Sequence, residues 1–262
     1  MIWIVVCLVA LAASALTLFS GFGLGTLLLP AFALVFPVEL AVAATAVVHL
    51  SNNIFKLILV GRHARVAMVL AFGLPALVGA AAGAWVLKTL SGLPSLGSYD
   101  LAGRRFEVSM LEIVLGLLIA SFAIVELRPG GESRLVNKLG LNWGGLISGF
   151  SGGVSGHQGA LRSAFLIGTG MPKKQFIATG VWCAVMVDVS RLVVYGFAFL
   201  APLISGEPGE TGWQLVLAAT IAAFTGAWVG VRLIGKFTLA GVRRLVGVLL
   251  VLVGLAMAAG LL

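Results

Sequence analysis

Apolar runs occupy residues 2–36, 38–60, 67–90, 107–126, 141–170, 172–200, 213–233 and 241–261, and most of them carry no charge. A helix needs roughly 20 apolar residues to cross a bilayer. The pattern therefore predicts an all-α integral membrane protein with about eight hydrophobic helical segments. Composition agrees: 60% of the 262 residues are apolar and only 10% are charged. A water-facing surface needs about a quarter of the residues charged, so a soluble fold is excluded and no room is left for an extra soluble domain.

The net charge of +8 invites a nucleic-acid reading. The basic residues are dispersed at helix ends, however, where membrane proteins carry them for orientation, and no nucleic-acid partner is expected. Cys7 and Cys183 both lie in apolar stretches and imply neither a disulfide framework nor a metal site. No cofactor is expected. The N-terminal stretch lacks a positive n-region and runs straight into a glycine-rich segment, so it reads as a retained helix rather than a signal peptide.

Two runs are unlike the rest. The run 2–36 is too long for one crossing and is interrupted by Gly21-Phe-Gly23-Leu-Gly25 and Pro30; the run 141–170 is interrupted by Phe150-Ser-Gly-Gly-Val-Ser-Gly-His-Gln-Gly159. Non-helical backbone at membrane depth survives only where protein or a watery cavity satisfies it. A matched pair of such breaks points to a transporter's binding site. The breaks do match. A shift of 135 positions pairs Pro37 with Pro172, Asn53 with Asp188, Lys56 with Arg191 and Gly61 with Gly196. The next helices share small-residue stripes, Gly79–Gly83 and Gly226–Gly230, which suit close helix packing. The expected organisation is two repeats of four segments, 1–130 and 131–262, in one membrane domain, with one segment of each repeat broken or re-entrant.

Orientation separates parallel from inverted repeats. If both broken segments cross the membrane, flanking Lys and Arg split nine to five. If both dip and return, the split becomes eleven (Arg62, Arg65, Arg128, Arg134, Lys138, Lys173, Lys174, Arg232, Lys236, Arg243, Arg244) against three (Lys88, Arg104, Arg105). The sharper asymmetry favours inverted repeats with both termini on the outer side.

Three cations fall inside the runs or breaks: Lys56, Arg162 and Arg191. A charge in hydrocarbon costs about 2.5–3.5 kcal/mol or more, so such residues line a pathway or pair with something. Lys56 shares a helical face with His49, Asn52 and Asn53; Arg191 lies one turn after Asp188, where a salt bridge can form. Two readings of each stand: Asp188–Arg191 as a buried lock or a site, and Lys56 as a snorkelling side chain or a ligand. Because Lys56 and Arg191 occupy equivalent positions, an anion site is favoured over a cation site. The breaks add donors: Ser20, Gly23 and Gly25 in the first, Ser151, Ser155, His157 and Gln158 in the second. Half-helix N-termini there would cradle an anion. Ser20 and Ser151 also read as simple helix terminators, and His157 as a satisfied loop histidine.

Gly153-Val-Ser155-Gly156 matches the G-x-S-G of rhomboid-type intramembrane proteases. That chemistry needs a histidine on a later helix, and none follows His157. No enzyme is expected. The GFGLG run follows no strand and has no acidic ribose partner, so it is no dinucleotide fingerprint.

Ser20-Gly-Phe-Gly-Leu-Gly with Pro30, the Pro37-x-x-x-Ala-Val-Ala-Ala-Thr helix, and Ser151-Gly-Gly with Pro172 resemble the TauE/SafE family of sulfite-exporter and toluene-sulfonate-uptake permeases. The resemblance spans nearly the whole chain. It implies a bacterial inner-membrane transporter of sulfite, sulfoacetate, sulfonates or related small anions, in a lipid bilayer, with protons a candidate coupling ion. A passive anion channel or uniporter is the alternative. Substrate, direction and oligomeric state stay open, a homodimer included. One departure is the second break, Ser155-Gly-His157-Gln158-Gly159-Ala-Leu-Arg162, which is more polar than the first.

Overall fold

The structure is a computed structural model describing residues 2–20, 24–101, 103–127, 132–205, 212–232 and 239–261. The first broken run becomes two helices, α1 (Ile2–Ser20) and α2 (Leu24–Ala33). The break lies between them rather than at Pro30, which sits inside α2. Helix α3 (Val38–Val60) follows Pro37 and ends in a short 3-10 turn. The next run enters as α4 (Val66–Met68), widens into a π turn (Val69–Gly73) and continues as α5 (Leu74–Ser91). Pro75 has no N–H for the helical ladder, and the π turn just before it absorbs that lost bond.

The segment after α5 adds one small hairpin to an otherwise helical molecule. Strands β1 (Gly97–Leu101) and β2 (Arg104–Val108) pair antiparallel in an exposed hairpin, with Tyr99 stacked on Phe106. The expected helix from 107 starts later, as α6 (Met110–Leu127). Its Glu112 accepts from the Ser109 N–H and hydroxyl, and the Ser109 hydroxyl accepts from the Glu112 N–H. This reciprocal cap accounts for a carboxylate at the start of an apolar helix.

The second half contains α7 (Glu132–Ser155), α8 (Gly159–Ile167), α9 (Lys173–Ser205, kinked at Gly196), α10 (Gly212–Arg232) and α11 (Leu239–Ala258). Helix α8 turns back along α7. The Ser148 and Ser151 hydroxyls donate to the Gln158 and His157 carbonyls, and Gly144 lies under the Phe165 ring. Gly156, at φ 80°, makes the reversal: its N–H closes α7 on the Gly152 carbonyl in a left-handed conformation that a side chain would strain.

Among the described residues, Val38–His63, Val66–Ser91, Lys173–Gly196 and Gly212–Gly230 are long and apolar enough to cross a bilayer, and Ile2–Ala15, Leu24–Ala33, Met110–Ile124 and Gly247–Ala258 are shorter apolar helices. Large apolar side chains point outward, Ile58 and Val193 among the most exposed. The polar side chains turn in. This is a molecule of the multi-pass membrane class, with lipid rather than water as the solvent for its surface.

Helix pairs approach through glycine. On α7, Gly145, Gly149 and Gly153 meet the backbone of Phe72, Ala76 and Ala80, while Gly79 and Gly83 of α5 meet that of Leu146 and Phe150. These contacts rise together along both helices, so α5 and α7 run parallel. Gly226 of α10 rests on the Leu11 backbone of α1 in the same manner. Gly116 of α6 and Gly254 of α11 meet each other directly, and Gly247 faces Leu127, so that pair is antiparallel. Such small-residue contacts are the expected glue where lipid gives no hydrophobic drive.

A Cβ at Gly149 would overlap the Ala76 backbone. Gly149→Ala is expected to cost about 1–3 kcal/mol, seen as a lowered thermal midpoint of the detergent-purified protein. Gly97→Ala, with nothing within 4 Å of the added carbon, should leave the midpoint in place.

Candidate functional site

The helix–break–helix of α7 and α8 lays its turn against α3 and α9, which run antiparallel. His49 and Asn53 reach Asp188, and Trp182 donates to the Gly61 carbonyl further along the pair. Around this crossing lie His49, Asn52, Asn53, Lys56, Ser151, Ser155, His157, Gln158, Arg162, Asp188 and Arg191, all buried. Gly25 is buried too, with its α-carbon face against the Gly156 carbonyl, so the start of α2 meets the second break. Ser20 closes α1, but its side chain and the whole of Gly23 lie outside the described residues.

Asp188 is the centre. Its Oδ1 accepts from Arg191 Nε at 3.1 Å and from Gln158 Nε2 at 3.4 Å, with Arg191 Nη2 at 2.8 Å. Its Oδ2 accepts from His49 Nδ1 at 2.6 Å and Asn53 Nδ2 at 3.0 Å. A carboxylate oxygen can only accept, so the His49 Nδ1 facing it carries the proton. The Asp188–Arg191 salt bridge that the spacing allows is thus present, and it extends into a network joining α3, α8 and α9. Arg191 also donates to the Gly152 carbonyl at 3.4 Å, and Tyr195, one turn on, to the Gly153 carbonyl at 2.6 Å.

Lys56 does not snorkel; it is 2% exposed. Its Nζ lies 3.0 Å from the Asn52 amide oxygen, with that amide turned so its nitrogen meets the Ala223 carbonyl at 3.2 Å and the Ser14 hydroxyl at 3.1 Å. Arg162 donates from Nη1 to Gln158 Oε1 at 3.1 Å. Among the described residues, neither cation has an ion-pair partner. The charge acting on Lys56 is Arg162, of like sign. Arg191 is salt-bridged to Asp188, whereas Lys56 and Arg162, without a direct salt bridge among the described residues, are hydrogen-bonded to the Asn52 and Gln158 amides. The equivalent cations Lys56 and Arg191 thus sit in different surroundings, Arg191 in a salt bridge with Asp188 and Lys56 on the Asn52 amide.

The serines of the break bond its own backbone. Ser151 donates to the His157 carbonyl at 2.7 Å and Ser155 to the Ser151 carbonyl at 3.0 Å. His157 Nδ1 lies 3.0 Å from both the carbonyl and the hydroxyl oxygen of Ser155. A carbonyl only accepts, so Nδ1 is a donor there and cannot act as base toward Ser155. The geometry gives the protease reading no support. The residues missed from sequence are Ser14, Ser148 and Tyr195. Tyr195 continues the 188–191 face by one turn and was findable by the same spacing; Ser14 and Ser148 are lone hydroxyls in apolar runs and carried no signal. No group of three or more His, Cys, Asp or Glu among the described residues has metal-holding geometry.

Removing one partner of a buried ion pair leaves a bare charge, at about 3–5 kcal/mol. Asp188→Asn and Arg191→Met are each expected to lose stability on that scale. The double variant should lose clearly less than their sum, measured by unfolding followed through tryptophan fluorescence.

Comparison with known proteins returns one family: residues 6–257 match the family described as Sulfite exporter TauE/SafE. No curated protein and no solved structure matches the chain. The match covers all but the extreme ends of a helical, lipid-facing molecule whose interior is cationic. The chain belongs to the TauE/SafE sulfite exporter family, a family of membrane transporters.

Proposed function

We propose that the chain is a secondary transporter of small sulfur-containing or organic anions, such as sulfite, sulfoacetate and sulfonates, across the bacterial inner membrane. The observation that carries this reading is the pair Lys56 and Arg162, both buried and both without an acidic partner among the described residues. Two buried like charges in low dielectric repel and lack solvation. An oxyanion between or beside them supplies the missing countercharge. Arg162 lies in the first turn of α8, where unpaired N–H groups and the helix dipole add to the attraction. The amides of Asn52 and Gln158 aim the cations, and the Asp188 network holds the amide of Gln158.

The proposed architecture is two inverted repeats, 1–130 and 131–262, with both termini outside. Three observations support it. Asn53 and Asp188, equivalent by the 135-residue shift, touch each other. The equivalent helices α3 and α9 run antiparallel, as do α6 and α11. Helix α1 meets α10 as α7 meets α5. Equivalent antiparallel helices in contact fit a two-fold axis in the membrane plane, and parallel repeats do not. Of the cations behind the orientation argument, Arg128 and Lys236 lie outside the described residues, as do the side chains of Arg134, Lys138, Arg243 and Arg244.

Lys56→Met and Arg162→Met are each expected to reduce sulfite flux into proteoliposomes by about a hundredfold or more, the scale of losing one strong charge contact in a desolvated site. Both proteins should elute as folded, monodisperse particles. Unaltered flux in both variants would sink the site, and no flux of any anion in the wild type would sink the function. Flux that ignores collapse of the proton gradient would identify a uniporter or channel.

A further inference from the structure

One buried polar atom has no role in the network above. His157 is 4% exposed, and its Nε2 has no hydrogen-bond partner among the described residues. The ring lines a small cavity with Thr26 of α2, Ala160 of α8, Phe122 of α6 and Leu250 of α11, of about 10 Å³, enough for one oxygen-sized group. Thr26 lies in the first turn of α2 and Ala160 in the first turn of α8. Helix α8 has no side-chain cap, and its first internal backbone bond is Arg162 N–H to the Gln158 carbonyl. The first turns of α2 and α8 therefore border this cavity together with the His157 ring.

The tautomer decides what the cavity accepts. Nδ1 faces the Ser155 carbonyl and so carries the ring proton. A neutral His157 then presents a lone pair at Nε2. That lone pair repels a bare anionic oxygen while the helix N-termini attract it. The conflict disappears when a proton comes with the oxygen.

We propose that this cavity receives one oxygen of the transported anion together with a proton, and that His157 Nε2 binds that proton. The proton comes from the acidic O–H of the anion or from solvent. A new N–H bond forms at Nε2, the oxygen keeps its electron pair, and the imidazolium donates back to it. The ligand class is an oxyanion plus one proton, and the anion-transport reading underlies this assignment. The charged group acting on His157 is Arg191 of α9, already paired with Asp188. The cavity residues from α6 and α11 are apolar, α2 offers only the Thr26 hydroxyl, and α7 contributes Ser155. No carboxylate lines this cavity among its described residues, so the anion itself supplies the negative charge that holds the proton.

The test is calorimetric titration of the purified full-length protein with sulfite at pH 8, in two buffers of different ionisation heat, which counts protons taken up per anion. The wild type is expected to take up close to one proton, and His157→Asn, whose amide donates at any pH, only about a tenth of that. Thr26→Leu, which fills the cavity from α2, should also lose the uptake and stands in if His157→Asn does not fold. Methanesulfonate, which carries no proton in this range, separates the sources. Uptake with both anions means a solvent proton, and uptake with sulfite alone means one that arrives on the anion's own O–H before passing to Nε2. Sulfite binding without proton uptake in the wild type, or uptake that persists in both variants, overturns the proposal. Failure of either anion to bind at all overturns the transport reading instead.

Discussion

The Asp188 carboxylate is the constraint on which the rest of the interior depends. It is fully buried, so its charge must be met by donors fixed in place. They come from three elements: His49 and Asn53 on α3, Gln158 at the turn before α8, and Arg191 on α9 itself. None of these can move far without exposing the carboxylate to an unfavourable environment. The turn between α7 and α8 is thereby pinned to the α3–α9 crossing. Because Asp188 pairs directly with Arg191, the other two interior cations have no salt bridge of their own among the described residues. The lock, and the anion site proposed above, both follow from one carboxylate among three cations.

Close helix packing makes this arrangement possible. Interior polar groups can only meet if the helices carrying them approach to backbone contact, and the glycines of α5, α7, α10 and α11 allow that approach. Gly156 adds a second requirement. A Cβ there would crowd Arg191 Nη1, at 2.8 Å, so a side chain would disturb both the left-handed turn and the ion pair. The local backbone and the network therefore demand the same residue, the kind of agreement between levels that specifies one structure.

Much of this was legible in the sequence. The lipid-facing class followed from hydropathy and sparse charge. The breaks followed from glycine density, and the Asp188–Arg191 pair from its i,i+3 spacing. What escaped depended on contacts between distant segments. No local signal could assign Lys56 to Asn52 and Arg162 to Gln158, because amide partners are chosen by which helices meet. Sequence marks the hairpin of β1 and β2 only as a polar connection, since its exposed five-residue strands show little burial pattern. It puts the onset of α6 early because Val108 is apolar whether it ends a strand or starts a helix. Pro30 reads as a breaker in sequence, yet it sits inside α2.

The proposed duplication would also account for the asymmetry of the interior cations. The 135-residue shift places Asn53 opposite Asp188 and Lys56 opposite Arg191, so the proposed repeats put one cation in each half at the same depth. Only the second half has a carboxylate at the position where the first has an amide. Arg191 is neutralised by its own neighbour one turn away, whereas Lys56 finds at that spacing only Asn53, which donates to Asp188 instead. Exchange of one amide for one acid between otherwise equivalent helices thus converts a symmetric pair of cations into a locked one and a free one. Arg162 has no counterpart in the first break: the position 135 residues earlier is Leu27. In the proposed two-fold scaffold, a single substitution-level difference in each helix and break is sufficient to give one anion site of the proposed kind rather than two.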